Sequence, residues 1–132
     1  MSEKSLLDEA KEIWPRAYAP YSGFNVGAAI RSPSGKIHVG VNVENAAYPE
    51  GTCAEAGAIA AMIAAGDTEI AEIAVVGDAP DPVTPCGGCR QKIAEFAPKG
   101  TRVTMGTMKG EALTLTIEDL IPHAFAKAQM EG

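Results

Sequence analysis

The chain has 132 residues, a formal net charge of −6, 46% hydrophobic positions and seven aromatic residues scattered along its length. That length suits one domain, residues 1–132, able to bury roughly two-thirds of the surface its unfolded chain exposes. The acidic balance and the lack of a basic run argue against a long polyanion as partner, because nucleic-acid binding depends on Lys and Arg displacing counterions; a small uncharged ligand fits better.

The first stretch, MSEKSLLDEAKEIW, is charged and amphipathic and lacks the apolar core of a signal peptide. Leu6, Leu7, Ala10, Ile13 and Trp14 have helical spacing, predicting a helix over 3–14 that Pro15 ends or kinks. AYAPYSGFN reads as a loop. NVGAAIRS and KIHVGVNV flank SPSG, a hairpin signal with Gly35 in the turn. ENAAYPEGT is turn-rich. From Cys53 to Ala65 the alanine-dominated composition predicts a helix, stopped by Gly66 and Asp67. That helix carries no charge between Glu55 and Asp67, and a helix apolar all round has to be covered on every side, so neighbouring subunits are expected against it.

AGAIAAMIAAG, the longest near-apolar run, is too short to span a membrane. EIAVVGD reads as a buried strand, DAPDPVTP as a loop, CRQKIAEFA as a short helix and TRVTMGT as a strand. LTIEDLIPHAF is expected to begin a last helical segment, interrupted by Pro122. Strands alternating with helices imply a sheet covered by helices, with an antiparallel hairpin at one end of the sequence. With neither leader nor span, a cytoplasmic, reducing location is expected. There, spaced cysteines serve as metal ligands or catalysts more often than as disulfides.

The cysteines fall at Cys53, opening the second helix, and at Cys86 and Cys89 in TPCGGCRQ, in the loop and first turn of the third. Helix N-termini offer unpaired N–H groups and a positive partial charge, which favour thiolate over thiol. Three thiolates with a fourth position open is the layout of catalytic zinc; a structural site would be closed by a fourth protein ligand. His38 and His123 are the candidates for closing it, although His38, between Ile37 and Val39 in mid-strand, is expected to face solvent or a neighbour. The plainer alternative is a tight turn with two small residues and a core cysteine at position 53.

Glu55, two residues after Cys53, is either an acid favoured by the helix dipole or the base that takes a proton from zinc-bound water. A lone carboxylate in an otherwise uncharged segment is costly without a partner or a task. The order ligand, any residue, Glu, then PCxxC is that of zinc deaminases, among which a three-cysteine set is allowed.

On YAPYSGFNVGAA, GVNVENAAYPEG, TCAEAGAI, PCGGCRQ and LIPHAF, in that order, the chain resembles small homotetrameric cytidine deaminases from Tyr18 to Phe125. The resemblance implies a three-layer α/β/α fold with a mixed five-stranded sheet, and one Zn2+ per chain on Cys53, Cys86 and Cys89. It implies that zinc-activated water attacks C4 of cytidine, or deoxycytidine, with Glu55 as proton shuttle, yielding uridine and ammonia in pyrimidine salvage. It places substrate contacts on Phe24, Asn42, Glu44, Tyr48 and Ala54, with Phe125 reaching a neighbouring subunit's site. Asn42 and Glu44 alternate along an extended segment, so both point to one face. Read alone, Glu44 and Asn45 could be turn residues and Phe24 could be core.

One position departs from the family. Relatives usually read CAER, with an arginine that hydrogen-bonds the thiolates; here Ala56 stands in that place. Three thiolates on a dication leave one negative charge, so Arg90 or a residue from elsewhere is expected to offset it. Alternatives of other classes are a deaminase of a cytosine-bearing nucleoside antibiotic, a non-catalytic zinc-stabilised module, and an editor of polynucleotides, against which the acidic balance counts.

Overall fold

A computed structural model describes residues 4–131; residue 3, where the predicted first helix begins, lies outside them. Helix α1 (Leu6–Ile13) opens on a capping box, in which Ser5 Oγ accepts from the Asp8 N–H at 3.1 Å and the Asp8 carboxylate accepts from the Ser5 N–H at 3.2 Å. Both bonds satisfy donors a helix start would otherwise leave open. Pro15 turns the end of α1 into a 3₁₀ turn over Trp14–Arg16, as its missing N–H requires.

The predicted hairpin is β1 (Val26–Arg31) against β2 (Ile37–Val41), antiparallel, with Gly35 at φ +89° in its turn. Helix α2 (Ala54–Ala64) ends before Gly66, whose φ of +96° is open to glycine at no steric cost. Strand β3 (Glu72–Gly77), helix α3 (Gly87–Phe96) and strand β4 (Arg102–Thr107) form a β-α-β unit, with β3 and β4 parallel.

The chain then departs from the expected last helix. Ala112–Thr116 is a fifth strand, β5, antiparallel to β4. Thr116 caps a single helical turn, α4 (Ile117–Leu120). His123 takes a left-handed backbone at φ 56°, and α5 (Lys127–Glu131) follows. The physical reason lies in ALTLT: Leu113 and Leu115 alternate with threonines, a two-residue period, and Thr104 and Thr114 hydroxyls meet across the strands at 3.1 Å.

The sheet order is β2-β1-β3-β4-β5. On one face Ala28, Ile30, Ile73, Val75, Val103 and Met105 pack with Ala58, Met62, Ile93 and Leu120 from α2, α3 and α4. On the other, Ala29, Ala74 and Val76 pack with Leu6 and Ala10 of α1. This is the three-layer α/β/α arrangement with a mixed five-stranded sheet. No described helix is long and apolar enough to cross a membrane.

His38 corrects a second expectation. It faces neither solvent nor a neighbour but is 7% exposed, with Nε2 3.1 Å from Ser32 Oγ and 3.1 Å from Asp67 Oδ2. Ile37 and Val39 pack toward α1, so strand alternation turns His38 and Gly40 under α2.

Candidate active site and metal centre

Two helices present cysteine at their N-caps. Cys53 (φ −81°, ψ 158°) precedes α2 and Cys86 (φ −68°, ψ 167°) precedes α3, both extended, while Cys89 lies buried in the first turn of α3. Because α3 follows β3 in the β-α-β unit, its start stands beyond the carboxyl end of that strand, a common place for ligands in α/β sheets.

The three sulfurs lie within 4.8 Å of one another. Tetrahedral zinc, with Zn–S bonds of about 2.3 Å, would hold them about 3.8 Å apart, so the donor set and its spacing fit one zinc ion. Among the described residues this group contains only the three cysteines; neither His38 nor His123 joins it. A fourth position is therefore left by the protein's own side chains.

The thiols sit in unlike surroundings. Burial, first of all, pushes Cys53 up from its ordinary value, and burial with the nearby Glu55 carboxylate pushes Cys89 up strongly. The backbone N–H of Cys89 pulls Cys86 down. Gathering three thiolates in one place is unfavourable without a cation among them. Glu55 is 4% exposed, and burial raises its carboxyl pKa.

Glu55 lines a cleft of about 310 Å³ together with Cys53, Cys86, Asn42, Glu44, Tyr48 and Ala54. That volume falls at the small end of the roughly 300–1,000 Å³ range of small-ligand pockets. Asn42 and Glu44 lie just past β2, and Val43 between them bridges to Tyr18 and Thr52 on either side, keeping the segment extended and both side chains on the cleft face.

Each of these two polar side chains is already tethered. Asn42 Oδ1 accepts from the Val26 N–H at 2.8 Å, and its Nδ2 donates to the Phe24 carbonyl at 2.8 Å. The Glu44 carboxylate accepts from the Tyr21 and Ser22 N–H groups, each at 3.0 Å, and from the Ser22 hydroxyl. The Ser22 hydroxyl, first, holds the Glu44 pKa below its ordinary value. Ser22 was not among the sequence candidates, although its place in the PYSG turn is where a serine hydroxyl regularly bonds nearby groups.

Of the remaining candidates, Tyr48 stands at the rim of the cleft and the others lie outside its wall. Phe24 is absent from the cleft wall and packs its ring edge over Gly77 and beside Val83. Phe125 is 57% exposed, with its carbonyl held by Gln91 Nε2 at 2.8 Å. Tyr48 is 76% exposed and stands edge-on to Tyr21 with ring centroids 6.0 Å apart. Arg90 places both of its hydrogen bonds on backbone, Nε to the Pro85 carbonyl and an Nη to the Leu120 carbonyl, each at 2.8 Å. It thereby fixes the approach to Cys86 and ties α3 to the end of α4.

Comparison with known proteins follows the same lines. The sequence model of the family described as "Cytidine and deoxycytidylate deaminase zinc-binding region" matches residues 1–107. The chain is 40% identical over 130 residues to the cytidine deaminase of Halalkalibacterium halodurans, covering 98% of each chain. It is also 40% identical to that of Sporosarcina psychrophila, covering 98% of this chain and 96% of the relative. Among solved structures, the cytidine deaminase of Burkholderia pseudomallei superposes with a TM-score of 0.89 at 42% identity, covering 95% of this chain and all of that one.

Proposed function

The chain belongs to the cytidine and deoxycytidylate deaminase family, and from that premise we propose that it converts cytidine to uridine and ammonia in the cleft between the starts of α2 and α3. The observation that carries this reading is the buried Glu55 carboxyl on the wall of a cleft also lined by Cys53 and Cys86, with the buried Cys89 completing a set of three thiols within 4.8 Å of one another. Cys53, Cys86 and Cys89 hold zinc, which supplies when bound a Lewis acid that activates water as a nucleophile at neutral pH.

Glu55 moves the protons. It accepts one from the water whose oxygen bonds to C4 and delivers it to N3 of the cytosine, making C4 more electrophilic; it then takes the second proton from the hydroxyl now on C4 and passes it to the 4-amino group, so that the C4–N bond breaks, ammonia leaves and C4 becomes a carbonyl. The raised carboxyl pKa, caused by burial, suits a group that must be base and then acid at one site. Water is consumed and ammonia released, with no redox partner.

The sugar end of the cleft is read by what remains unpaired. A carboxylate has about four acceptor sites, of which Glu44 has used three; an amide has two N–H donors, of which Asn42 has used one. One acceptor and one donor are left, a match for ribose hydroxyls, which both give and take hydrogen bonds. Ala54, the first residue of α2, has a backbone N–H without an intrahelical partner and lines the same cleft. Tyr48 walls the cleft, and Phe24 stacks on the base after turning from its packed position. Arg90, next to Cys89 in sequence, offsets part of the thiolate charge while its guanidinium holds the Pro85 carbonyl.

The cleft is completed by a second copy of the chain. Ile63 on α2 is 42% exposed on a helix that carries no charge after Glu55, and Phe125 stands exposed on the C-terminal segment. We assign the homotetramer of the family's small type to these surfaces, with Phe125 entering a neighbour's cleft. A cytoplasmic place in pyrimidine salvage follows from a nucleoside substrate and reduced cysteines.

Purified protein incubated with cytidine, followed by ultraviolet absorbance and ammonia release, tests the reading. Turnover should vanish on treatment with a chelator and return with zinc; conversion untouched by complete zinc removal would overturn it. Deoxycytidine and a cytosine-bearing nucleoside antibiotic in parallel assays rank the substrates.

A further inference from the structure

Four negative groups, three thiolates and the Glu55 carboxylate, surround the two positive charges of one zinc ion. The chain therefore needs further positive charge at this site, and α3 shows where it comes from. Along α3 its cations, Arg90 and Lys92, precede its acid, Glu95, and its last turn carries no cation. That order opposes the helix dipole, which favours anions at the start of a helix and cations at its end. It fits negative charge gathered at the start of α3.

Arg90 has both hydrogen bonds on carbonyls. Lys92 behaves differently. Its ammonium folds back toward the start of the helix, 3.8 Å from where a Cβ on Gly88 would stand, and Gly88 lies between Cys86 and Cys89. Among the described residues no carboxylate is within ion-pair distance of Lys92. Lys92 also walls a groove of about 410 Å³ between α2 and α3, opposite Ala56, whose methyl leaves room for a lysine stem.

We propose that Lys92 is a further charge-compensating residue of the thiolate centre, beside Arg90, its ammonium lying by the Cys86–Cys89 turn at the groove that Ala56 leaves open. The assignment rests on the zinc reading above. Lys92 is a positioning residue, acting on the metal through the thiolates and touching neither substrate nor water.

The test is the rate at which zinc-loaded protein gives up zinc to an excess of a chromophoric chelator. Lys92→Met should release zinc roughly three- to tenfold faster, the effect expected of one partly screened charge. Lys92→Arg should stay near wild type, and Lys92→Glu should be fastest. Because the effect is electrostatic, the gap between wild type and Lys92→Met should shrink in about 1 M salt, where the screening length is about 3 Å. Release at the wild-type rate by Lys92→Met and Lys92→Glu overturns the proposal, as does a gap that salt leaves unchanged, which would mark lost packing instead. Wild-type protein that takes up no stoichiometric zinc would sink the zinc reading itself, and this assignment with it.

Discussion

Two glycines that face each other should respond to the same substitution with opposite sign. Gly40 of β2 lies directly beneath α2: a Cβ there would stand 2.2 Å from the Ala58 nitrogen, 2.5 Å from the Ala54 oxygen and 2.7 Å from the Gly57 carbonyl carbon. All three are backbone atoms, so no rotamer change relieves the clash. Restoring a contact of about 3.5 Å requires strand and helix to part by about 1 Å. Over-packing of this kind costs about 1–3 kcal/mol, and backbone on both sides puts Gly40→Ala at the upper end.

Gly57 looks back at β2 from α2, but its Cβ would meet only the Gly40 Cα at 3.5 Å, the Val41 oxygen at 3.5 Å and the Val41 nitrogen at 3.6 Å, all ordinary contacts. Gly57→Ala should gain up to about 1 kcal/mol of helix propensity. Thermal melts of zinc-loaded proteins at one scan rate should show Gly40→Ala lowered by roughly 10 °C and Gly57→Ala unchanged or slightly raised. Cys53 and Glu55 sit at the start of α2, so Gly40→Ala should also lose on the order of a hundredfold in cytidine turnover, the usual effect of a 1 Å misplacement. A Gly40→Ala protein that melts and turns over like wild type would refute the close approach of α2 to β2, as would Gly57→Ala proving the more damaging of the two.

Three further outcomes are expected. Glu55→Gln should lower kcat by at least about a hundredfold with KM little changed, because its proton transfers belong to the transition state; steady-state kinetics showing near-normal kcat would remove Glu55 from its role. Arg90→Ala strands the Pro85 and Leu120 carbonyls and removes a charge beside Cys89, so both the melting temperature and zinc retention should fall; retention at the wild-type level would confine Arg90 to its structural bonds. Acid should destabilise the fold through its caps. Backbone N–H groups of Ser5, Thr116 and Gly100, first, hold Asp8, Asp119 and Glu118 below their ordinary values, and the Ser34 hydroxyl does so for Asp67. The folded state thus binds fewer protons than the unfolded one from about pH 5 downward, so this stability is complete above that pH and is lost as pH falls through the lowered values. Asp119→Asn should melt lower than wild type at pH 6, with the gap closing near pH 3; a gap independent of pH would contradict the assignment.

The metal centre was legible because its residues are few and its spacing is narrow. With three cysteines in the chain, two separated by two residues and the third two before an isolated glutamate, little else could assemble from them once each fell at a helix start. The element pattern fared less evenly. Strand β5 escaped because ALTLT runs straight into a capped turn, TIED, and a cap announces a helix more strongly than five residues of alternation announce a strand. His38 was misplaced for a different reason. Alternation along β2 is legible, but which face receives a helix is set by α2, some fifteen residues later, and nothing local to the strand records it. The bonds that hold Asn42 and Glu44 are equally non-local: Phe24, Val26 and the 21–22 turn reach them from across the hairpin.

The position of α2 is fixed from below at both ends by two residues of one strand. Gly40 admits the backbone of its first turns, and His38, two residues earlier on the same face, meets Asp67 just beyond its last turn. Rotation or sliding of α2 would break one contact or the other, so Cys53 and Glu55 arrive at a set height above the sheet. Helix α3 is placed independently, by the β3–β4 pair it connects and by Arg90 to α4. Between the two helices lies an open groove rather than a packed seam near Ala56. Besides the core that α2 and α3 share through Ala58, Met62 and Ile93, the sulfurs are what draws the starts of the two helices together. A metal held there would fasten the start of α2, with its buried Glu55 carboxyl, against the ligands of α3, so that loss of zinc should loosen α2 from α3 in hydrogen exchange before it unravels the sheet.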